Sequence, residues 1–107
     1  MVVSQMSDIG LRLKKLRNQF AFSKSQVADY LGFDIDYITK LENNEIKLKS
    51  SVLYKLCLIY NCSYEYILKG EGEIIKVDLP EDIDLNTLAE INRIIRNFME
   101  LEQLNSS

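Results

Sequence analysis

Residues 23–44 read SKSQVADYLGFDIDYITKLENN, a stretch in which two short helical patterns are joined by a tight turn. Ser23 and Gln26 have the spacing of a capping box, so the first helix is predicted to begin at Ser23. It is predicted to end at Gly32, because glycine is best suited to a left-handed C-terminal turn. Asp34 is placed to cap the second helix. Since only two residues lie between the first helix and this cap, the helices are predicted to cross at a steep angle, the geometry of a helix-turn-helix.

Helical patterns continue on both sides of this stretch. Counted along the whole chain, the two helices of residues 23–44 are the second and the third. The first helix is predicted to begin at Ser7, its N-cap. The apolar residues that share one face of this helix are Ile9, Leu13, Leu16 and Phe20. A fourth helix is predicted to begin near Ser50, and a fifth to begin at Ser63 and end at Gly70. Together with the central pair, these patterns predict a five-helix domain over residues 1–70.

The composition argues against catalysis and against a metal site. The sequence contains no histidine, which is the commonest general base and the commonest metal ligand in proteins. Its two cysteines, Cys57 and Cys62, lack the Cys-x-x-Cys spacing of a metal or redox pair and are interpreted as buried, reduced thiols. No Gly-rich phosphate loop is present. We therefore predict that the protein is not an enzyme and holds no cofactor and no metal.

The net charge of -3 is divided unevenly along the chain. Residues 1–70 carry ten basic and seven acidic side chains, whereas residues 71–107 carry three basic and nine acidic ones. The mildly basic part could therefore meet phosphate, and the acidic part could not. No apolar run reaches the length of a bilayer span, and the first residues lack the pattern of a secretion signal. We expect a cytoplasmic protein that does not associate with membranes.

Several short segments occur in an order and spacing that one known family shares. These segments are Leu16-Arg17, Ser23 to Ala28, Leu31 to Asp34, Ile38 to Asn44, and Leu53 to Ser63. Over residues 9–70 the chain resembles the lambda-repressor-like (Xre/Cro type) helix-turn-helix family. The resemblance implies an all-α fold and a sequence-specific transcriptional regulator, a repressor or a related regulator that binds double-stranded DNA. It also implies that the third helix is the recognition helix, which enters the major groove.

The outward residues near the start of the third helix are candidates for contact with bases. They are Ile35, Asp36, Tyr37, Thr39 and Lys40. The family often has glutamine, arginine, serine or threonine in the first two of these positions, and this chain departs from that pattern. The Asp36 carboxylate could accept a hydrogen bond from cytosine N4, or could only favour the positive end of the helix. Ile35 and Tyr37 could contact thymine methyl groups, and Lys40 could reach guanine.

Other residues match family positions that lie along the sugar-phosphate backbone. They are Lys24, Asn43, Asn44, Lys47 and Lys49. For each lysine alone, a solvated surface position is an equal interpretation; as a group, they favour phosphate contact. The resemblance further implies a buried, structural ion pair between Arg17 in the first helix and Glu42 at the end of the third.

The tail after the five-helix domain has a different pattern. Residues 71–83 are predicted to form a linker, in which the alternation from Ile74 to Leu79 is compatible with a short strand that Pro80 ends. Residues 84–107 are predicted to form a C-terminal helix. Its apolar stripe comprises Leu88, Ile91, Ile94, Ile95, Phe98 and Leu101.

Two interpretations of this tail remain open. The apolar stripe could pack on the five-helix domain of its own chain or on the same helix of a second copy. Because the relatives close their core with five helices, we expect it to pack against a second copy and form a homodimer on an inverted repeat. The alternative is a DNA-binding antitoxin or an adaptor, whose acidic tail binds a regulatory protein partner.

Overall fold

The computed structural model describes residues 7–72 and 83–105. Within these two ranges every regular element of secondary structure is a helix, and short turns and loops join the helices. The helices are α1 (Ser7–Gln19), α2 (Lys24–Leu31), α3 (Ile35–Glu42), α4 (Ser50–Tyr60), α5 (Tyr64–Lys69) and α6 (Leu85–Asn105). The all-α expectation is confirmed for this part of the chain. The stretch 74–79, with its alternating pattern, lies outside the described residues. None of the helices in the two ranges combines the length and the apolar character that a bilayer span requires.

The turn between α2 and α3 has the capping geometry that its sequence predicts. The Ser23 Oγ accepts a hydrogen bond from the Gln26 backbone N–H at 3.0 Å, and the Gln26 Oε1 accepts one from the Ser23 N–H at 2.8 Å. Gly32 ends α2 with a left-handed φ of 82°, a conformation that costs glycine little. The Asp34 Oδ1 then accepts from the Tyr37 N–H at 2.9 Å and begins α3. Local side-chain chemistry therefore fixes both ends of the turn.

The expectation that five helices close the core by themselves is wrong. Helix α6 packs on α4 and on α2, and its residues Leu85, Leu88 and Ala89 belong to the same buried cluster as the core of α1–α5. Leu88 is only 1% exposed. The physical reason is that α2 and α4 leave an apolar surface that the N-terminal half of α6 covers. Leu88 therefore lies in the core of its own chain, not on a surface that a second chain can reach.

Polar side chains of α6 also satisfy backbone groups at the end of α4. The last carbonyls of a helix have no partner within the helix and need donors from elsewhere. The Asn92 Nδ2 donates to the Leu58 carbonyl at 2.6 Å. The Arg96 guanidinium donates to the carbonyls of Cys57 and Cys62, at 3.1 Å and 2.7 Å. These hydrogen bonds fix α6 against the five-helix unit in both position and rotation.

A second face of α6 is turned away from the rest of the chain. Its exposed residues are Ile91, Ile94, Ile95 and Phe98, of which Phe98 is 61% exposed. With 3.6 residues per turn, this exposed face lies beside the buried one, so the apolar arc covers more than half of the helix circumference. The Leu101 side chain lies outside the described residues. Four side chains of the stripe predicted for dimer contact are therefore accessible in the structure: Ile91, Ile94, Ile95 and Phe98.

Candidate nucleic-acid interface

Helix α3 lies at the surface with one face in the core and one face in solvent. Its inward residues are Ile38, Leu41 and Glu42, which pack towards α1 and α2. Ile35, Asp36 and Lys40 point outward and are exposed. Tyr37 and Thr39 are half-buried at the border between the two faces. The five side chains expected to contact bases therefore lie on or beside the solvent face, and Ile35, Asp36 and Lys40 are the most accessible.

The two charged side chains of this face contact each other. The Lys40 Nζ lies 3.2 Å from the Asp36 Oδ2, one helical turn apart. Both side chains are largely exposed, and an exposed pair of this kind contributes less than about 1 kcal/mol. The two charges cancel, so this pair adds no net charge to the outward face. Contact with DNA could therefore separate Lys40 from Asp36 at little cost.

An aromatic pair lies at the N-terminal end of the same face. The rings of Phe33 and Tyr37 stack with centroids 4.0 Å apart and planes inclined by 11°. Phe33 is 41% exposed, whereas the Tyr37 hydroxyl is buried and has no hydrogen-bond partner among the described residues. Tyr37 therefore presents ring surface, not its hydroxyl, towards the outside. Phe33 was not among the residues that the sequence predicted to contact DNA, and the structure places its ring beside Tyr37 at this face.

Lys24 links the first turn of α2 to the outward edge of α3. Its Nζ donates to the Thr39 Oγ1 at 3.1 Å. The contact holds the ammonium group at the junction of the two helices and occupies the Thr39 hydroxyl. An ammonium group has three donors, so Lys24 keeps donors for a phosphate after this bond is made.

Asn43, Asn44, Lys47 and Lys49 are all exposed after α3, and the two asparagines also make contacts within the chain. The Asn44 Oδ1 accepts a hydrogen bond from the Gly10 backbone N–H at 2.9 Å, and Asn44 itself has a left-handed φ of 61°. Its carboxamide oxygen therefore caps a backbone group near the start of α1, and the phosphate contact expected for Asn44 stays a prediction. Asn43 lies at the C-cap of α3, with its Nδ2 3.4 Å from Glu45. Lys47 and Lys49 are exposed in the loop before α4.

Arg17 and Glu42 form a buried ion pair between α1 and the end of α3. The Arg17 Nε lies 2.8 Å from Glu42 Oε2, and its Nη2 lies 3.2 Å from Oε1. The Arg17 Nη1 also donates to the Phe22 carbonyl at 3.1 Å. The hydrogen bond with Glu42 raises the pKa of the Arg17 guanidinium above its ordinary value, against the opposing effect of burial. This pair anchors the C-terminal end of α3 to α1, away from the exposed N-terminal end.

The family comparison agrees with this geometry. Residues 10–73 match a family model described as "Helix-turn-helix domain". No curated protein and no solved structure matches the chain. The matched range takes in α2, the turn at Gly32 and the surface helix α3, and it covers more than half of the sequence. The chain therefore belongs to the helix-turn-helix domain family.

Proposed function

We propose that this protein is a sequence-specific transcriptional regulator of the lambda-repressor-like (Xre/Cro) type, which binds an inverted repeat as a homodimer and represses transcription. The observation that carries the proposal is the exposure of the N-terminal end of α3. In helix-turn-helix proteins this end of the second helix of the motif contacts base edges in the major groove. Ile35, at the first position of α3, is 50% exposed.

Basic side chains before and after α3 in the chain support contact with the DNA backbone. Lys24, at the start of α2, contacts Thr39 of α3, and the exposed Lys47 and Lys49 follow α3 in the loop before α4. Phosphate contacts of this kind position a protein on the duplex and supply most of its non-specific affinity. We assign Lys24, Lys47 and Lys49 to the phosphates, and the outward residues of α3 to the bases.

The exposed face of α6 supports the homodimer. Ile91, Ile94, Ile95 and Phe98 recur at spacings of three and four residues, the pattern of a helix that packs against another helix. Burying a large apolar side chain stabilises an interface by roughly 1.5–3 kcal/mol before entropic costs. Four such side chains from each of two chains are sufficient for a dimer of moderate affinity. Two copies would present two α3 helices to two half-sites.

Selection from a pool of random-sequence duplexes tests the DNA-binding proposal directly. We expect enrichment of an inverted repeat, and an affinity that falls steeply with salt concentration. The variant Lys47→Ala should weaken binding about equally for all sequences and reduce the slope of log affinity against log salt by about 0.9. Lys69→Ala, an exposed lysine on α5, is the matched control and should leave the slope unchanged. Absence of any enriched sequence would contradict the proposal.

Sedimentation velocity of the variant Ile94→Asp tests the homodimer. The wild-type chain should sediment as two copies, and the variant as one, because a carboxylate in the apolar interface is costly to bury. Asn97→Asp adds the same charge at another exposed position of α6 and should leave the dimer intact. A wild-type chain that is monomeric when pure, but purifies with a different protein in fixed stoichiometry, would favour an antitoxin or adaptor that uses this face.

A further inference from the structure

Part of the exposed recognition surface is apolar. Phe33, Ile35 and the ring of Tyr37 lie together at the turn and the first residues of α3, and we call these three residues the apolar ledge. Phe33 and Ile35 are among the most exposed large apolar side chains of the described residues. Because the Tyr37 hydroxyl is buried, all three residues offer carbon surface to whatever approaches.

The polar side chains around the apolar ledge make contacts within the chain. Asp36 and Lys40 form an exposed ion pair at 3.2 Å, the Thr39 hydroxyl accepts from Lys24, and the exposed Asp34 carboxylate accepts from the Tyr37 N–H. The usual direct contact with guanine comes from arginine or lysine, and the usual contact with adenine from asparagine or glutamine. Helix α3 carries no arginine, asparagine or glutamine, and its one lysine, Lys40, lies in the ion pair with Asp36.

We propose that the apolar ledge recognises thymine through its C5 methyl group, so that the preferred half-site carries thymine at the base pairs facing Ile35 and Phe33. The inference rests on the proposed function and names the chemistry by which that site selects sequence. Thymine is the one base whose major-groove edge carries a methyl group, and apolar side chains are its natural contact. Burying this methyl group against Ile35 or Phe33 removes apolar surface from water.

Charge complementarity argues that DNA covers the apolar ledge. Lys24 contacts Thr39 on α3, and the exposed Lys47 and Lys49 follow α3 in the loop before α4. The exposed carboxylates of Asp34 and Asp36 lie among the ledge residues, and Lys40 pairs with Asp36. A duplex offers an apolar methyl group in the groove and flanking phosphates that the lysines can contact.

The test compares duplexes that differ only in thymine methyl groups. Starting from a duplex selected by the wild-type protein, each thymine of one half-site is replaced in turn by deoxyuridine, which keeps every hydrogen-bonding group. We expect an affinity loss of about fourfold at each contacted position, the amount that corresponds to one buried methyl group. Thymines outside the half-site should show no loss.

Two variants assign the effect to the apolar ledge. Ile35→Ala and Phe33→Ala should each bind the thymine and uracil duplexes with equal affinity at the position that the side chain contacts. Both side chains are about half exposed, so truncation should preserve the fold. Tyr54→Ala removes an equally exposed aromatic ring on α4 and is the matched control, with thymine preference unchanged.

The outcomes separate this inference from the proposed function. A selected duplex that binds the uracil form as tightly as the thymine form at every position overturns the inference and leaves DNA binding intact. Variants of Phe33 or Ile35 that change the sedimenting mass, but not the thymine preference, overturn it as well and indicate a protein contact. If no duplex is selected, the proposed function fails and the inference fails with it.

Discussion

The effect of a polar side chain on the stability of this protein depends on whether it is buried and whether it has a hydrogen-bond or ion-pair partner. Arg17 is held by Glu42 and by the Phe22 carbonyl in the interior between α1 and α3. Removal of one partner would leave a buried charge without compensation. Arg17→Ala should therefore lower the free energy of unfolding by about 3–5 kcal/mol and weaken DNA binding through loss of folded protein.

Urea denaturation measures this effect, and a double variant separates charge from packing. Replacing both partners, as Arg17→Met with Glu42→Leu, should restore most of the stability, because no unpaired charge remains. An Arg17→Ala protein with the stability of the wild type would show that the pair contributes little.

Tyr37 carries a buried hydroxyl without a hydrogen-bond partner among the described residues. A buried hydroxyl without a partner costs about 1–3 kcal/mol, so Tyr37→Phe should raise the free energy of unfolding by about 1 kcal/mol. Tyr30→Phe is the matched control with the opposite expected sign, since the Tyr30 hydroxyl donates to the Lys55 carbonyl at 2.7 Å. Thermal melts of both variants measure the difference; a destabilised Tyr37→Phe would indicate a bound water or another partner.

At this scale, sequence reasoning succeeded where the partner is close along the chain. Asp34 caps a backbone N–H three residues away, a contact that the residue type and its position predict. The Asn44 oxygen accepts from the Gly10 N–H, thirty-four positions away, a contact that the sequence analysis did not predict. No local pattern encodes such a contact, because it depends on the packing of α1 against α3.

At the scale of helices, the approach of α1 to α3 depends on a small residue. A Cβ at Gly10 would overlap the Glu42 carbonyl and come within 2.8 Å of the Asn44 Oδ1. In an open helix, replacing glycine by alanine stabilises by about 1 kcal/mol. Here the backbone of α3 is in the way, so Gly10→Ala should instead destabilise by about 1–2 kcal/mol.

Chemical denaturation of Gly10→Ala, beside an exposed control on the same helix, checks this expectation. Lys14→Ala should change the free energy of unfolding by less than about 0.5 kcal/mol. A gain in stability for Gly10→Ala would mean that α1 and α3 can separate slightly without loss.

The helices themselves were predictable, but the partner of α6 was not. Capping residues mark the starts of α2, α3 and α5, and glycines end α2 and α5, so local chemistry defines these boundaries. For α6 the sequence predicts a broad apolar arc without saying what covers each part. Leu88 was grouped with Ile91 and Phe98, whereas the structure assigns it to the core and leaves the other two exposed. Asn92 and Arg96 also lie on the buried side of α6. Because they are polar, the apolar pattern of the sequence does not show that this side is buried.

At the scale of the whole molecule, α6 takes part in one shared core and also carries a separate exposed surface. Leu88→Ala should lower the free energy of unfolding by about 2–5 kcal/mol at every protein concentration, because it opens a cavity within one chain. Ile94→Ala should lower it only at concentrations where the wild-type protein is dimeric. Urea denaturation at two widely separated concentrations distinguishes the two effects. Equal behaviour of both variants would contradict the division of α6 into a core face and an interface.

The hydrogen bonds from Asn92 and Arg96 to the end of α4 have a consequence for the arrangement of operators. They restrict the rotation of α6, so a dimer joined through this helix would hold its two DNA-binding domains at a fixed distance and orientation. One extra base pair between half-sites moves one of them by about 3.4 Å and turns it by about 35° around the duplex axis. We expect such a protein to tolerate base substitutions within a half-site better than a change in the spacing between the two half-sites.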